Sequence, residues 1–381
     1  MEKVKIVHII TGLETGGAEL MLQRLILKHQ PQERFEHCVI SLTTLGVIGV
    51  ELQNAGVRVD AINMTGFAAI FKIISQLRTL LKEHNPDLVQ TWLYHADFLG
   101  GLASYSIGCK SIIWGVHSTQ VSFWQYPLTA ILRLVCALLS YILPSKIWYV
   151  ARKSASYHEA LGYDSKKSVV IHNGFDLDYW TAHQSATSNL KLELGLAQSD
   201  IVIGSVGRYN PDKDHTTLLT AFKLLLESKP NAYLVLVGKG LDDGNNTLTT
   251  TITELQIESK VYKLGPRSDV YKIFSGFDVF CLHSKTEAFP LVLGEAMASE
   301  VLCVTTDVGD ASYLLGQTDL VVPKENPVQL AKVLNRALDF TLEHKDECRK
   351  SGRKRIEELF SIQAMLLQIE DLYLNILRKS K

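Results

Sequence analysis

The chain has 381 residues, of which 46% are hydrophobic and 21% charged, a balance typical of a globular protein with about two domains. Its 39 basic and 40 acidic side chains leave a net charge of −1, so we expect no nucleic-acid partner, and any polyanion site must be local. The six cysteines form no Cys-x-x-Cys pair and have mostly apolar neighbours, which favours reduced, buried thiols over a zinc site.

The N-terminus carries no pattern typical of export. Met1 is followed by a charged segment and then by a strand pattern, without the apolar stretch and cleavage site of a signal peptide. We therefore expect a cytoplasmic protein.

Short β-branched runs alternate with longer periodic segments along the chain. In the first half the predicted strands are 6–10, 38–42, 57–62, 88–92, 112–116, 147–151 and 169–172. After a polar stretch at 181–200 the pattern resumes with 201–206, 233–237, 261–264, 279–283, 302–305 and 320–322. The alternation predicts parallel βαβ units, and these strands are too many for one doubly wound sheet.

We therefore predict two α/β domains, at residues 1–180 and 181–360, that face each other across a ligand-binding cleft. Residues 361–381 form a third segment, which we expect to be a helix packed back on the first domain. Its apolar positions recur at helical spacing and comprise Met365, Ile369, Leu372, Leu374 and Ile376.

Two segments of the first domain raise the question of membrane contact. Residues 128–143 are apolar except for Thr129, Arg133 and Ser140, but a membrane span needs roughly 20 apolar residues. A buried helix is the first interpretation, and adhesion to a membrane surface is the alternative. The second segment has an amphipathic pattern, formed by Phe67, Ile70, Phe71, Ile74 and Leu81 with Lys72, Arg78 and Lys82.

Two carboxylates, Glu287 and Glu295, lie eight positions apart on either side of Pro290. Proline is favoured at a first helical position, so we expect Glu287 in the loop ahead of a helix that carries Glu295. The two acids can then face one ligand from different directions. The helix would also direct free amides, from Leu291 and Val292 onward, at an anion, and the spacing predicts a sugar-nucleotide site.

Two basic residues, Arg208 and Lys213, follow the predicted strand 201–206. A guanidinium and an ammonium at this place can clamp a diphosphate and stabilise it as a leaving group without a metal. The alternative is a solvated pair on the surface, and the nearby acidic segment favours the clamp.

Glycines at Gly12, Gly16 and Gly17 follow the first strand. They let backbone amides approach a phosphate at a helix start, although the pattern is neither Gly-x-Gly-x-x-Gly nor a P-loop, and a plain tight turn is the alternative. His117 ends the strand at 112–116, where an imidazole can contact a sugar hydroxyl or orient the reacting group. A lone histidine at a strand end is more often a hydrogen-bonded structural residue.

Asp176 and Asp178 match the paired-aspartate pattern of a divalent metal site only superficially. A three-residue match in a loop arises readily by chance, so we expect neither a metal nor another cofactor.

Taken together, these motifs resemble glycosyltransferase family 4, the group 1 retaining enzymes of bacterial surface-polysaccharide synthesis, over nearly the whole chain. The motifs occur in the family's order. They are Gly16 to Glu19, His117, Ile171 to Asp176, Gly207 to Lys213, Leu236 to Gly240, the glutamate pair, and Val308 to Asp310. The resemblance implies a GT-B fold, in which two Rossmann-like domains face each other across a cleft.

The resemblance also implies roles for individual residues. Arg208 and Lys213 would bind the donor diphosphate, Glu295 the ribose hydroxyls and Glu287 the region of the donor sugar. Leu264 and its neighbour Gly265 would face the base. From the first domain, Gly16 and Gly17 would close over the diphosphate and His117 would contact the transferred sugar. The chain departs from the commonest pattern at Ala288 to Pro290, where many relatives have Gly-Phe-Gly, and at Asp214, where a glycine often stands, and these departures bear on the donor preference rather than on the activity.

From this resemblance we expect an enzyme that transfers sugar from a nucleotide donor, a UDP-sugar first, to a hydroxyl of a saccharide acceptor, with retained configuration. A lipid-linked saccharide is the leading acceptor, which would place the protein at the inner face of the plasma membrane. A sugar-nucleotide epimerase and a non-catalytic nucleotide-sugar binding protein are the rival hypotheses. A nicotinamide dehydrogenase is disfavoured, because no Gly-x-Gly-x-x-Gly with a distal acid follows the first strand.

Overall fold

The computed structural model describes residues 3–30, 34–64, 70–119, 123, 126–184, 190–340 and 342–380. The chain divides by its contacts into two compact units, one formed by residues 1–173 with 363–381 and the other by residues 174–362. The domain limits proposed from the sequence stay a prediction.

The first unit contains a parallel sheet flanked by helices. Its elements are β1 (Val4–Ile10), α1 (Gly17–His29), β2 (Phe35–Ser41), α2 (Gly46–Asn54), β3 (Arg58–Ala61), α3 (Ile70–His84), β4 (Leu88–Trp92), α4 (Tyr94–Ser106), β5 (Ile112–Val116), α5 (Pro127–Leu139), β6 (Lys146–Tyr149), α6 (Arg152–Ala160) and β7 (Ser168–Val170). The described strands follow the order β3-β2-β1-β4-β5-β6-β7. Ile6 of the central strand pairs with His37 on one side and with Leu88 on the other.

The second unit repeats this plan with fewer strands. Its elements are α7 (Leu177–Gln184), α8 (Leu190–Glu193), β8 (Ile201–Val206), α9 (His215–Leu225), β9 (Ala232–Val237), α10 (Asn246–Glu254), β10 (Val261–Lys263), α11 (Val270–Phe274), β11 (Val279–Leu282), α12 (Leu291–Ala298), β12 (Cys303–Thr306), α13 (Ala311–Leu315), β13 (Val321–Val322), α14 (Pro327–Asp339) and α15 (Leu342–Leu359). The described strands form a parallel sheet in the order β10-β9-β8-β11-β12-β13.

The prediction of two Rossmann-like α/β sheets is confirmed. Every predicted strand occurs, three of them with the predicted limits at Leu88–Trp92, Ile112–Val116 and Ile201–Val206. In each sheet the strand order reverses direction, between β1 and β4 in the first and between β8 and β11 in the second. The loops that follow these strands diverge at such a switch point and leave room for a ligand.

The last helix, α16 (Ile362–Ser380), belongs to the first unit from Gln363 onward. It buries Met365, Ile369, Leu372 and Ile376, as its helical spacing predicts, whereas Leu374 of the same predicted set is only half-buried. The spacing missed Tyr373, which is fully buried and donates its hydroxyl proton to the side chain of Gln90 in β4. A polar contact therefore supplements the apolar face of this helix.

Helix α5 corrects the expectation of a buried helix at 128–143. Its Arg133 lies inward, where its guanidinium donates to the hydroxyl of Tyr157 at 3.1 Å. The outward face carries Leu128, Ile131, Leu134 and Leu138, and Leu128 and Leu138 are 71% and 75% exposed. One apolar face, with Leu132, Cys136 and Ala137, packs on the core of this unit, and a second apolar face is exposed.

Helix α3 exposes less apolar surface than α5. It buries Ile73, Leu77 and Leu81, so most of its apolar stripe packs on the core and Phe71 stands exposed. Phe67, part of the same predicted pattern, lies outside the described residues, as do residues 185–189 of the polar stretch. In the described part of the chain, no helix combines the length and apolar character needed to cross a membrane.

Phe175 anchors the start of the second unit against α12. Its amide donates to the carbonyl of Phe360 at 2.8 Å, and its fully buried ring lies over Gly294. A Cβ atom at residue 294 would lie 2.0 Å from Cζ of that ring. The absence of a side chain at Gly294 is therefore a packing requirement.

We expect Gly294→Ala to lower the free energy of unfolding by roughly 1–3 kcal/mol, because the added methyl must displace Phe175. Gly352→Ala is the matched control. In α15 the added Cβ would meet Met297 at 3.8 Å, an ordinary contact, so the helix should gain about 0.5–1 kcal/mol. Urea unfolding measures both, and equal effects of the two substitutions would contradict this packing role.

Candidate functional site

The loop after β8 carries Arg208, which is exposed, and Lys213, which is half-buried. It ends at Asp214, whose φ of 54° and ψ of 52° lie in the left-handed region that favours glycine. The Asp214 side chain compensates by capping α9, since its Oδ1 accepts from the amide of Thr217 at 3.4 Å, and its Oδ2 also accepts from the hydroxyl of Thr217 at 2.6 Å. An aspartate at this glycine position therefore keeps the turn and adds a helix cap.

Lys213 and Glu287 form an ion pair in which Nζ lies 2.5 Å from Oε1. The same carboxylate oxygen accepts a hydrogen bond from the hydroxyl of Ser284 at 2.7 Å. Lys213 follows β8 and Glu287 follows β11, which are the two strands at the switch point of this sheet. The pair thus joins a cation and an acid where the fold leaves room for a ligand.

Backbone contacts hold the Glu287 loop from both sides. The amide of Lys285 donates to the carbonyl of Asp212 at 2.7 Å, and the amide of Asp310 donates to the carbonyl of Ala288 at 2.9 Å. Gly309, with φ of 49°, allows this approach, because a Cβ there would lie 2.3 Å from the carbonyl oxygen of Glu287. The loops after β8, β11 and β12 therefore form one connected surface.

Glu287 precedes α12 and Glu295 lies on it, as the sequence predicts. The helix begins at Leu291, and Pro290 is its N-cap residue rather than its first helical residue. The amides of Leu291 and Val292 belong to the first turn, where helix amides have no acceptor within the helix. Glu295 is half-buried.

Leu264 lies at the same edge of the second sheet, directly after β10. The amide of Gly238 donates to the carbonyl of Gly265 at 2.8 Å, and the amide of Tyr209 donates to the carbonyl of Lys239 at 2.8 Å. The loops after β8, β9 and β10 are thereby linked through their backbones, and Leu264 is placed in the same row of loops as Lys213.

In the first unit, Gly16 and Gly17 form the start of α1. Gly16 is the N-cap residue in extended conformation, with φ of −157°, and Gly17 is the first helical residue. A Cβ at residue 16 would lie 2.3 Å from Oε2 of Glu19. The Glu19 carboxylate therefore lies back against the helix start, where acids are favourable.

His117 follows β5 and stacks on Trp92, with ring centroids 4.7 Å apart and planes inclined by 23°. The ring of Trp148 meets it edge-on at 5.4 Å. Among the described residues its buried Nε2 has no hydrogen-bond partner. Burial lowers the pKa of His117 to about 3, so the imidazole is neutral at physiological pH.

The second unit thus brings Lys213 and Glu287 into direct contact and places Arg208, Leu264, Leu291, Val292 and Glu295 along the same strand ends. In the first unit, Gly16 and Gly17 lie at the start of the helix that follows β1, and His117 lies directly after β5. Sequence reasoning missed Ser284, although a polar residue soon after β11, close to the end of a strand, is a detectable signal. It also missed Trp92. The sequence marks this tryptophan only as an apolar residue of a buried strand, and its indole is indeed buried.

Two family models match consecutive parts of the chain. Residues 15–179 match "Glycosyltransferase Family 4", and residues 188–355 match "Glycosyl transferases group 1". The chain belongs to this family of glycosyltransferases.

Its relatives include enzymes of bacterial glycan synthesis. An Escherichia coli protein named UDP-Gal:alpha-D-GlcNAc-diphosphoundecaprenol alpha-1,3-galactosyltransferase is 25% identical over 315 residues, 80% of this chain and 79% of that protein. The capsular polysaccharide biosynthesis glycosyltransferase CapH of Staphylococcus aureus is 22% identical over 311 residues, 81% of this chain and 83% of CapH.

Solved structures share the fold of this glycosyltransferase. Anabaena Alr3699/HepE in complex with UDP-glucose superposes with a TM-score of 0.82 at 21% identity, over 96% of this chain and 98% of HepE. The same protein in complex with UDP gives a TM-score of 0.83 over 97% and 99%. The predicted GT-B fold class is therefore confirmed, and the family models and the named relatives confirm the enzyme class.

Buried histidines make the stability of this enzyme depend on pH. Burial lowers the pKa of His29, His158 and His215 to about 4 and that of His37 and His117 to about 3. The pKa of these histidines in the unfolded chain has its ordinary value of about 6.5. Below that pH the unfolded chain therefore binds protons at these imidazoles, whereas the folded chain does not. The stabilisation is therefore present above pH 6.5 and is lost as the pH falls towards 4.

Between pH 6.5 and 5 we expect each of these histidines to lower the free energy of unfolding by up to about 1.4 kcal/mol per pH unit. Urea denaturation at half-unit pH steps measures the slope. His215→Asn should reduce the slope of the free energy of unfolding against pH by the contribution of one histidine. A wild-type stability that stays constant over this window would contradict neutral, buried imidazoles.

Proposed function

We propose that this enzyme transfers a sugar from a UDP-sugar, with retained anomeric configuration, to a hydroxyl of a saccharide acceptor in surface glycan synthesis. The ion pair of Lys213 with Glu287 carries the proposal, because it places a cation and an acid on adjacent loops at the switch point of the second sheet. The E. coli relative is named for a UDP-Gal donor and a diphosphoundecaprenol acceptor, and HepE binds UDP-glucose, which supports this substrate class.

In this proposal Lys213 and Arg208 neutralise the donor diphosphate. An ammonium has three protons, and Glu287 accepts from one, so two remain to donate to phosphate oxygens. Arg208 is exposed at the start of the same loop and adds a planar donor set. Both charges are in place before the sugar–phosphate bond breaks, which favours departure of UDP.

The remaining donor contacts follow from the strand ends. We assign Glu295 to the ribose hydroxyls, the amides of Leu291 and Val292 to phosphate oxygens, and the backbone at Leu264 to the base. Gly16 and Gly17 are the proposed diphosphate ligands from the first unit, where their small size admits a close approach. The neutral imidazole of His117 is the proposed contact of the transferred sugar.

During transfer the acceptor hydroxyl attacks the anomeric carbon, the bond to the β-phosphate oxygen breaks, and UDP leaves with the electron pair. The hydroxyl proton passes to a phosphate oxygen on the same face, which retains the configuration. Glu287 already accepts hydrogen bonds from Lys213 and Ser284 through one oxygen. We therefore assign Glu287 the role of orienting the lysine and the donor sugar rather than that of a nucleophile.

Lys213→Ala and Glu295→Ala should each reduce kcat/KM by the equivalent of roughly 1.5–3 kcal/mol, because each removes a charge-assisted hydrogen bond. Steady-state release of UDP measures the effect. Lys229→Ala, which removes a surface partner of Asp339, is the matched control and should leave the kinetics unchanged. Unchanged kinetics in both site variants would overturn this assignment.

A thermal-shift screen across UDP-, GDP- and ADP-sugars identifies the donor, since a ligand that binds the folded state raises its apparent stability. Conversion of a bound donor to its epimer without an acceptor would favour the rival epimerase. Stabilisation by a donor without UDP release in the presence of any acceptor would favour a binding protein.

A lipid-linked acceptor fits the outward face of α5. Leu128, Ile131, Leu134 and Leu138 project from it, and exposed Tyr141 and Ile142 continue the same surface. Lys167 lies at the end of this surface, where its ammonium donates to the carbonyls of Ser140 and Tyr141 at 2.9 and 2.8 Å. Apolar side chains bordered by a cation match the interface of an anionic bilayer.

We expect the wild-type protein to float with vesicles that contain anionic lipid, and the double variant Leu134→Glu with Leu138→Glu to remain in the soluble fraction, because two carboxylates oppose insertion. Phe71→Glu on α3 introduces the same charge at an exposed apolar residue of another helix and should float like the wild type. If the wild-type protein remained in the soluble fraction with every vesicle composition, membrane docking would be contradicted.

A further inference from the structure

The turn between β4 and α4 contains a strained residue. Leu93 has φ of 73° and ψ of 156°, a backbone region that only glycine adopts easily. Its amide donates to the carbonyl of Gly115 at 3.0 Å, and its own carbonyl accepts from the amide of Asp97 at 2.9 Å. The flanking structure therefore holds Leu93 in a conformation that is costly for its side chain.

This turn directs two neighbouring aromatic residues at one segment. Trp92, before Leu93, stacks under His117 at 4.7 Å. Tyr94, after Leu93, accepts a hydrogen bond from the hydroxyl of Ser118 at 2.8 Å. The two residues on either side of the strained one thus contact the two residues that follow β5.

A chain of histidines fixes Trp92 from behind. Its indole N–H donates to Nδ1 of His8 at 3.2 Å, and an indole nitrogen can only donate, so the proton of this neutral histidine lies on Nε2. His8 Nε2 then donates to Nδ1 of His37 at 2.9 Å, and His37 Nε2 donates to Nδ1 of His29 at 3.2 Å. His29 Nε2 lies 3.5 Å from the carboxylate of Glu370 on α16. Every donor in the chain points the same way, so Trp92 has one preferred orientation.

A closed ring of hydrogen bonds fixes Tyr94. His158 donates through Nδ1 to the carbonyl of Ser154 at 2.7 Å, which leaves Nε2 to accept from the Tyr94 hydroxyl at 2.6 Å. The hydroxyl of Ser154 donates to the carbonyl of Ser118 at 2.6 Å. Since Ser118 donates to Tyr94, the ring returns to its starting residue and holds Ser118 by both its side chain and its backbone.

We propose that Trp92 and Tyr94 are positioning residues for sugar transfer and that the strained turn at Leu93 aims both of them at the His117–Ser118 segment. The inference rests on the proposed function, in which His117 contacts the transferred sugar. A turn that served folding alone would be more stable with glycine, because glycine adopts this conformation without strain. Here a leucine, with less backbone freedom, keeps two consecutive aromatics in place.

Leu93→Gly tests the proposal. The melting temperature should stay equal or rise, while kcat for UDP release should fall about tenfold with KM for the donor within twofold. The donor is whichever of UDP-glucose, UDP-galactose and their N-acetylamino forms the wild type hydrolyses. In selectively labelled protein, the ring-current shift that Trp92 imposes on the His117 carbon-bound protons should shrink. Gln256→Gly, at an exposed residue with φ of 57°, is the matched control and should leave kcat unchanged.

Tyr94→Phe is the second variant, because it opens the hydrogen-bond ring and keeps the aromatic side chain. We expect kcat to fall at least fivefold. Tyr163→Phe is its control: it also removes a buried hydroxyl beside His158, but that hydroxyl donates to the carbonyl of Arg133 at 3.0 Å. It should lower the melting temperature without lowering kcat.

Two failures are distinguishable. A wild type that releases UDP from no donor refutes the proposed function, and the inference with it. If the wild type is active and the Leu93→Gly and Tyr94→Phe variants have the same kcat as the wild type, the positioning role alone is refuted. An unchanged His117 signal in Leu93→Gly would refute it as well, because the turn would then not set the stacking of that ring.

Discussion

The contact of Lys213 with Glu287 depends on the order of the strands in the second sheet. The two residues follow β8 and β11, which are neighbours although β9 and β10 lie between them in the chain. Two opposite charges at 2.5 Å hold each other in place, and the Ser284 hydroxyl fixes the acid from a second direction. The ammonium is thereby pre-organised, so that the proposed binding of a diphosphate would need little rearrangement of the lysine. The helix start at Leu291 and the acid at Glu295 add their donors and acceptor to the same strand ends.

The first unit obtains order at its strand ends by other means. It has no comparable ion pair around His117 among the described residues, and several of its buried polar groups are imidazoles that burial keeps neutral. A neutral imidazole has one donor and one acceptor, so a chain of them has a direction, which a single indole N–H can set. Directional hydrogen bonds fix orientation without the desolvation cost of a buried charge. The two units therefore stabilise their candidate site residues by different physical means.

Local pattern was sufficient for the secondary structure and for much of the site. Strand positions are predicted to within about three residues because buried parallel strands are short β-branched runs between polar segments. Pro290 predicted the start of α12 to within one residue, since proline in or next to a helix is favoured at the helix start. The sequence pattern could not predict which face of α5 is buried, because this segment is apolar on nearly every side and its spacing marks no single face. Its single arginine lies inward, where Tyr157 offers a partner.

The sequence by itself determined the chemical groups, the order of the elements and the family to which the chain belongs. It also determined which residues stand at strand ends, because both hydrophobic alternation and the turns that interrupt it are local. Tertiary structure alone decided that Ser284 shares the carboxylate of Glu287, that Trp92 lies under His117, and that Glu370 faces His29. These contacts join residues far apart in the chain. Their free energy depends on strand order and side-chain direction together, and no short window of sequence contains both.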